Sequence, residues 1–311
     1  MRDAFVRALM RRAGEDEHLV LLTGDLGFGV LRPFWETYPR QFVNAGIAEQ
    51  AMASMAAGLS MTGRTVICYS IGNFPTLRCL EQIRNDCAYH DANVKIVCVG
   101  GGFVYGSLGM SHHATEDVSI MRALPGVKVF APGDPAEVEA VVPVMLDTPG
   151  TCYLRLGRGG EPMVHEGPLQ GWAIPKALTL REGRDVAILS CGGILTQTVA
   201  AAKLLEEAGV QAEVVSFPCV KPLDEEKVLE LAGRFLYLIT VEEHTIVGGF
   251  GSSVCEIVAE KGCGCCVHRF GMEDVYSTIV GTQQYLRSCY RMDSRAICER
   301  TLEILKDAQA H

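Results

Sequence analysis

Short runs rich in β-branched residues recur along this chain, separated by segments whose apolar residues keep helical spacing. This alternation constrains the fold more than any other feature. Leu19-Val-Leu-Leu, Thr65-Val-Ile-Cys, Val94-Lys-Ile-Val-Cys-Val, Val127-Lys-Val-Phe and Cys152-Tyr-Leu read as strands of the first half. Between them, Met52, Met55, Ala56 and Leu59 keep one helix face, and Leu77, Leu80, Ile83 and Cys87 keep a similar one. Strands joined through helices run parallel and are covered on both faces, so the pattern predicts an α/β fold of three layers.

From Gly157 to Gly183 the alternation stops, and Pro162, Pro168 and Pro175 stand among glycines. Such a stretch reads as a linker. A second alternation then begins. Val186-Ala-Ile-Leu precedes a helix around Leu195 to Ala208, Ala212-Glu-Val-Val precedes one from Asp224, and Phe235 to Val241 precedes one near Gly251 to Glu260. We therefore expect two domains with mainly parallel sheets, 1–160 and 184–311, joined by a linker over 161–183. Asp134-Pro135-Ala136-Glu137 marks a helix start, with Asp at the N-cap, Pro at the first helical position and Glu at the third.

The 311 residues suffice for two such cores, and with 48% apolar and 21% charged residues the chain is neither disordered nor repetitive. A net charge of −9 argues against duplex nucleic acid, where phosphate neutralisation dominates affinity; Arg7, Arg11 and Arg12 form the densest basic cluster. The N-terminus lacks the apolar run of a signal peptide, and the uncharged stretch Ile96 to Met110 is too short and too rich in glycine to span a bilayer. Thirteen unevenly spaced cysteines, several inside strands, read as thiols packed like small apolar groups in a reducing cytoplasm.

Two motifs open the functional reading. Gly24-Asp25-Leu26-Gly27-Phe28-Gly29 follows a strand, and its glycines let the backbone approach a ligand closely. In Asn44-Ala-Gly-Ile-Ala-Glu49-Gln50 a carboxylate opens an apolar helix just after a glycine turn, where the helix dipole favours it. Next come Tyr69-Ser-Ile71-Gly-Asn-Phe74, Arg78 to Asp86, Gly109-Met-Ser-His112-His113, Glu116-Asp117, Pro125-Gly126, Pro132-Gly-Asp134 and Tyr153-Leu-Arg-Leu-Gly-Arg158. The second half carries Thr240-Val-Glu-Glu-His244, then Gly248-Gly-Phe-Gly251-Ser252. In this order the motifs resemble the C-terminal half of transketolases, that is, their pyrimidine-binding and C-terminal domains, over essentially the whole chain.

The resemblance implies that the chain binds the pyrimidine end of thiamine diphosphate. Glu49 would contact N1′ and so activate the cofactor for attack on a ketose, Phe74 would stack on the ring, and Ile71 and Leu77 would complete an apolar wall beside it. Asp25 falls among the cofactor-contacting positions. His112 matches the family's substrate histidine and His113 stands beside it, where glutamine is usual. Arg158 and Arg2 match phosphate anchors, and Gly29 falls where the family has a serine. No metal is expected on this chain. In the family a separate domain holds the diphosphate and its metal through Gly-Asp-Gly followed by Asn, and this chain contains no Gly-Asp-Gly. The resemblance thus implies a partner, an N-terminal transketolase subunit holding the diphosphate with Mg²⁺ or Ca²⁺, in an α2β2 assembly with a dimer of this chain at its centre.

Departures bear on the substrate. Leu108 replaces an aspartate that recognises a hydroxyl, and a second family histidine maps near Gly100, where the loop has instead gained Phe103 and Tyr105. A site without a hydroxyl's polar partner discriminates weakly for that hydroxyl, so among sugar-phosphate or related small-molecule substrates one that differs from the usual pentose and hexose phosphates is expected, such as a deoxy, modified or less hydroxylated aldehyde. Alternatives are a β-type subunit of a 2-oxo acid dehydrogenase, an activity like that of 1-deoxyxylulose-5-phosphate synthase, and a non-catalytic scaffold. Glu242-Glu-His244 reads as a structural strand end, and Cys263-Gly-Cys265-Cys266 as a turn entering a strand, since no second cysteine pair completes a zinc set.

Overall fold

The computed structural model describes residues 1–309. The first half supplies β1 (Leu19–Thr23), β2 (Phe42–Asn44), β3 (Thr65–Ile71), β4 (Val94–Val99), β5 (Lys128–Phe130) and β6 (Cys152–Leu156). The second supplies β7 (Leu178–Arg181), β8 (Val186–Cys191), β9 (Ala212–Ser216), β10 (Cys219–Lys221), β11 (Tyr237–Thr245) and β12 (Cys266–Met272). They form two sheets, ordered β10-β5-β6-β4-β3-β1-β2 and β12-β11-β8-β9-β7. All pairings are parallel except β10 with β5 and β7 with β9, both at sheet edges. Every residue of β1, β4, β6, β8 and β9 is buried, as expected for strands with helices on both faces. The expected α/β architecture is therefore present.

Local signals placed the helices well. The Asp134 carboxylate accepts the Glu137 N–H at 2.8 Å, and Glu137 reaches back to the Gly133 N–H at 2.6 Å, one residue earlier than in a standard capping box. Asp224 caps the helix Glu225–Arg234 in the same way, accepting the Lys227 N–H at 3.1 Å. Periodicity placed two helix faces less well. Helix Glu49–Ser60 buries Met52, Ala53, Ala56 and Ala57 and leaves Met55 exposed, because a stripe of small side chains lets it lie close on β3. The run from Leu77 to Cys87 is a 3₁₀ turn, one short α turn and then a π-helix over Ile83–Ala88. The wider turn keeps Ile83 and Cys87 in the core while Leu77 faces outward beside Phe74.

The two halves are stitched together. β10, from the second half, extends the first sheet, and β7 joins the second sheet from within residues 161–183. The irregular chain before β7 is strapped to the first domain. Asp134 Oδ2 accepts the N–H groups of Val164 and His165 and faces His165 Nδ1 at 3.1 Å. A second joint centres on buried Asp117, whose Oδ2 accepts from Tyr153 Oη at 2.5 Å and Arg155 Nε at 2.9 Å. Arg155 also donates to the carbonyls of Ala114 and Glu243, one from each half.

All thirteen cysteines carry free thiols. Burial pushes Cys98 and Cys87 up to about 12, which leaves them neutral packing groups. Among the described residues no helix is long and apolar enough to cross a membrane.

Candidate active site

Parallel strands present their C-terminal ends, and the loops that follow them, along one edge of the sheet, where ligands of such folds gather. The loops after β1, β2, β3, β4 and β6 carry most of the residues that the sequence singles out. Glu49 is the first residue of its helix, is buried, and lies across from Gly24, the glycine that opens the loop after β1. A Cβ at Gly24 would sit 3.2 Å from the Gly46 carbonyl and 3.5 Å from Glu49 Cγ, so glycine there permits the close approach of the two turns. Asp25, at φ 57°, donates its N–H to Asn44 Oδ1 at 3.0 Å and accepts from Asn44 Nδ2 at 3.1 Å. It is exposed and fixes that loop against β2.

Glu49 accepts from Arg78 Nη1 at 2.9 Å, and the same guanidinium lies 4.4 Å from the centre of the Phe74 ring. Sequence reasoning gives Arg78 no role; its spacing of four residues from Phe74 is the available signal. The imidazole of His112 meets the Phe74 ring edge-on at 5.2 Å. Phe74 and Leu77 border a cavity of about 830 Å³ with Met110, Ser111 and Tyr276, the last from the second domain. Ile71 closes β3 and turns the chain into this loop, its carbonyl accepting the Phe74 N–H at 3.0 Å.

The residues present fit an aminopyrimidine. Such a ring requires a carboxylate at its edge and an aromatic face, and the guanidinium of Arg78, also planar and rich in N–H donors, already makes both contacts at once. Glu49 and Phe74 would hold the ring, with Leu77 on the apolar side.

Other expected residues divide into two groups. His113 is buried, faces the Gly106 carbonyl through Nε2 at 3.2 Å and meets the Phe103 ring edge-on at 5.1 Å, so it pins the loop that carries His112. Leu108 is exposed at the end of a 3₁₀ turn in that loop, and Gly29 is exposed in the first turn of helix Phe28–Thr37 with open space where a side chain would project. Arg158 is exposed, and its guanidinium lies 5.8 Å from the centre of the Tyr105 ring, which also meets His112 edge-on at 6.4 Å. Arg2 pairs with Asp3 and lies beside Gly159.

The acidic pair of the second domain is fully engaged. Glu242 accepts the N–H groups of Phe250 and Gly251, capping helix Phe250–Glu260. Glu243 accepts from Phe103 N, Gln283 and Arg287, tying that loop to the second domain. Asp134, Glu137 and His165 converge closely enough to suggest metal ligation, but Asp134 is occupied by the strap just described. Their distance in sequence hid that cluster. Cys266 opens β12 and the two preceding cysteines lie in the turn before it, as expected.

Comparison with known proteins agrees with this geometry. The family models for the transketolase pyrimidine-binding domain and the transketolase C-terminal domain match residues 1–161 and 175–297. A subunit of the apulose-4-phosphate transketolase of Phocaeicola vulgatus is 34% identical over 306 residues, covering 98% of this chain and 97% of its own length. A 1-deoxy-D-xylulose-5-phosphate synthase of Geobacter sulfurreducens is 36% identical over 95% of this chain, which spans only 47% of that enzyme. A solved split-gene transketolase, an inactive beta4 tetramer, superposes with a TM-score of 0.88 at 34% identity and covers 98% of this chain and 97% of its own. Two domain matches, full-length similarity to one chain of a two-chain transketolase and the clustering of Glu49, Phe74 and His112 together place this chain in the transketolase family, as a chain of the split type.

Proposed function

We propose that this chain is the pyrimidine-binding subunit of a two-chain, thiamine-diphosphate-dependent transketolase, moving a two-carbon ketol unit from a ketose or ketose phosphate to an aldehyde. The observation that carries this reading is the Glu49–Phe74 pair, a buried carboxylate beside an aromatic face, already spanned by one planar donor. When bound, thiamine diphosphate supplies the nucleophilic carbon and stabilises the charge that cleavage leaves behind. Glu49 holds the pyrimidine edge, where its carboxylate governs the proton at N1′. Phe74 fixes the plane of the ring, and the imidazole of His112 is placed to exchange a hydrogen bond or proton with a substrate hydroxyl.

A partner N-terminal subunit, holding the diphosphate and Mg²⁺ or Ca²⁺, completes the site in an α2β2 assembly formed around a dimer of this chain, in the cytoplasm. The inactivity of the related beta4 tetramer supports the need for that partner. Exposed Leu108, in place of a polar hydroxyl partner, favours an acceptor with fewer hydroxyls.

With the partner subunit present, Glu49→Gln removes most ketol transfer while the circular dichroism spectrum stays unchanged. Near-normal turnover in this variant would refute the assignment. The similarity to 1-deoxyxylulose-5-phosphate synthase supports a second reading, and the same assay separates the two: decarboxylation of pyruvate in place of ketol transfer from a ketose phosphate favours the synthase.

A further inference from the structure

Two turns meet at the cavity that Phe74 borders. One follows β3 and carries Phe74; the other lies in the loop after β4 and carries His112. His112 sits in a single 3₁₀ turn, its N–H bonded to the Gly109 carbonyl and that of His113 to the Met110 carbonyl. Those bonds shape the turn and leave its place relative to Phe74 open. That place is set from the other turn. Asn73 donates from Nδ2 to the His113 carbonyl at 2.6 Å, and among the described residues this is the one hydrogen bond between residues 71–79 and residues 106–113. Gly72, at φ +46°, brings its backbone against the same turn, where a Cβ would lie 3.2 Å from the His112 carbonyl oxygen.

The orientation of the Asn73 amide follows from its partner. A carbonyl oxygen only accepts, so the amide nitrogen must face it. The Asn73 Oδ1 atom is buried without a partner. A side chain present only to fill space would not enclose an unpartnered oxygen at that cost, so the donor is what this position supplies. The bond joins the neighbour of Phe74 to the neighbour of His112, and the two rings meet edge-on at 5.2 Å. Reacting groups tolerate little displacement, since a misplacement of about 1 Å can cost on the order of a hundredfold in rate. We infer that Asn73 is a positioning residue: its hydrogen bond to the His113 carbonyl fixes the spacing between the Phe74 ring and the His112 imidazole, and so the register in which substrate meets cofactor. The inference rests on the proposed reading for what those two rings hold, but not for the bond between their turns.

The bond itself is tested on the full isolated chain. Hydrogen exchange over residues 106–113, read by mass spectrometry, should be about tenfold faster in Asn73→Ala and in Asn73→Asp, while exchange in helix Glu49–Ser60 stays unchanged. Asn73→Asp keeps the side chain's shape and puts an oxygen where the N–H donor stood. In the complex with the partner subunit, Asn73→Ala should lower kcat about tenfold and leave the affinity for thiamine diphosphate, read by calorimetry, unchanged. Because the effect runs through His112, adding Asn73→Ala to His112→Ala should produce no further loss; a general structural defect would lower kcat by the same factor in both backgrounds. Unchanged exchange over 106–113, a wild-type kcat in Asn73→Ala, or additive losses in the double variant would each overturn the inference. A wild-type complex that decarboxylates pyruvate and transfers no ketol unit refutes the proposed function, and the same double-variant comparison on that reaction then decides the inference. Ketol transfer with Asn73→Ala neutral refutes the inference alone.

Discussion

Glu137→Gln tests the strap between the domains, because Glu137 is a fully buried carboxyl whose charge opposes folding at neutral pH. Its side chain is fully enclosed, and burial raises its pKa from an ordinary 4.5 to about 7, against the nearby Ser216 hydroxyl, the hydrogen bond from the Gly133 N–H and the nearby His165; the Asp134 carboxylate adds to the rise. A carboxyl that binds its proton more tightly when folded contributes stability that is present below pH 4.5 and lost as pH rises through 7. A change from 4.5 to about 7 is worth at most ~3 kcal/mol. His165 acts in the same direction: burial lowers its pKa, but the bond to Asp134 and the charges of Glu137 and Asp134 raise it overall, so its contribution also fades as pH rises above the usual histidine range. Asp134 acts oppositely. Burial disfavours its charge, yet the bonds from His165, Glu137 N, His165 N and Val164 N hold it near 2, so its contribution is present above 3.8 and lost as pH falls toward 2. Wild-type stability is therefore expected to peak near pH 4 to 4.5 and to decline as pH rises through 7.

Glutamine keeps the acceptor for Gly133 and cannot ionise. Urea unfolding of wild type and Glu137→Gln at fixed protein concentration, from pH 5 to 8, should give curves that lie closest near pH 5, diverge up to about pH 7 and stay apart at pH 8, with the variant shifted toward greater stability by up to ~3 kcal/mol. Parallel pH profiles, or a variant less stable at pH 8, would show that the Glu137 charge does not limit the fold.

Two further expectations concern charge pairs. Arg78→Met removes the guanidinium that spans Glu49 and Phe74. The isolated chain should lose about 1 kcal/mol, discounted because Arg78 is itself exposed, while thiamine diphosphate binding to the assembled enzyme, read by calorimetry, should tighten about threefold. Weaker binding would mean that Arg78 assists the cofactor and does not compete with it. Asp117→Asn leaves Arg155 buried without its counter-charge, and a loss of about 3 kcal/mol in urea unfolding is expected. A loss below ~1 kcal/mol would mean that the carbonyls of Ala114 and Glu243 suffice to hold the arginine.

Much of this molecule is legible in its sequence. The strands, the helix starts at Asp134 and Asp224 and the placement of Glu49 at a helix N-terminus follow from local pattern, because hydrophobic periodicity and capping act over a few residues. Ordered motifs supplied the family. The pieces that escaped are those in which local signals compete or are absent. Leu77 to Cys87 keeps helical spacing, yet packing shifts it into a π-helix. β10 is three residues long, and its partner β5 lies in the other half of the chain.

The sequence by itself determined the α/β class, the two halves and which residues are candidates to bear chemistry. Tertiary structure alone decided how they are joined: Arg78 onto Glu49 and Phe74, Tyr105 beside His112 and Arg158, Asp117 to Arg155, and Asp134 to the strap at His165. The physical reason is range. Periodicity and caps are fixed by neighbours along the chain, whereas an ion pair or ring contact forms only after two distant segments are buried together, where low dielectric and excluded water make the partner's presence decisive.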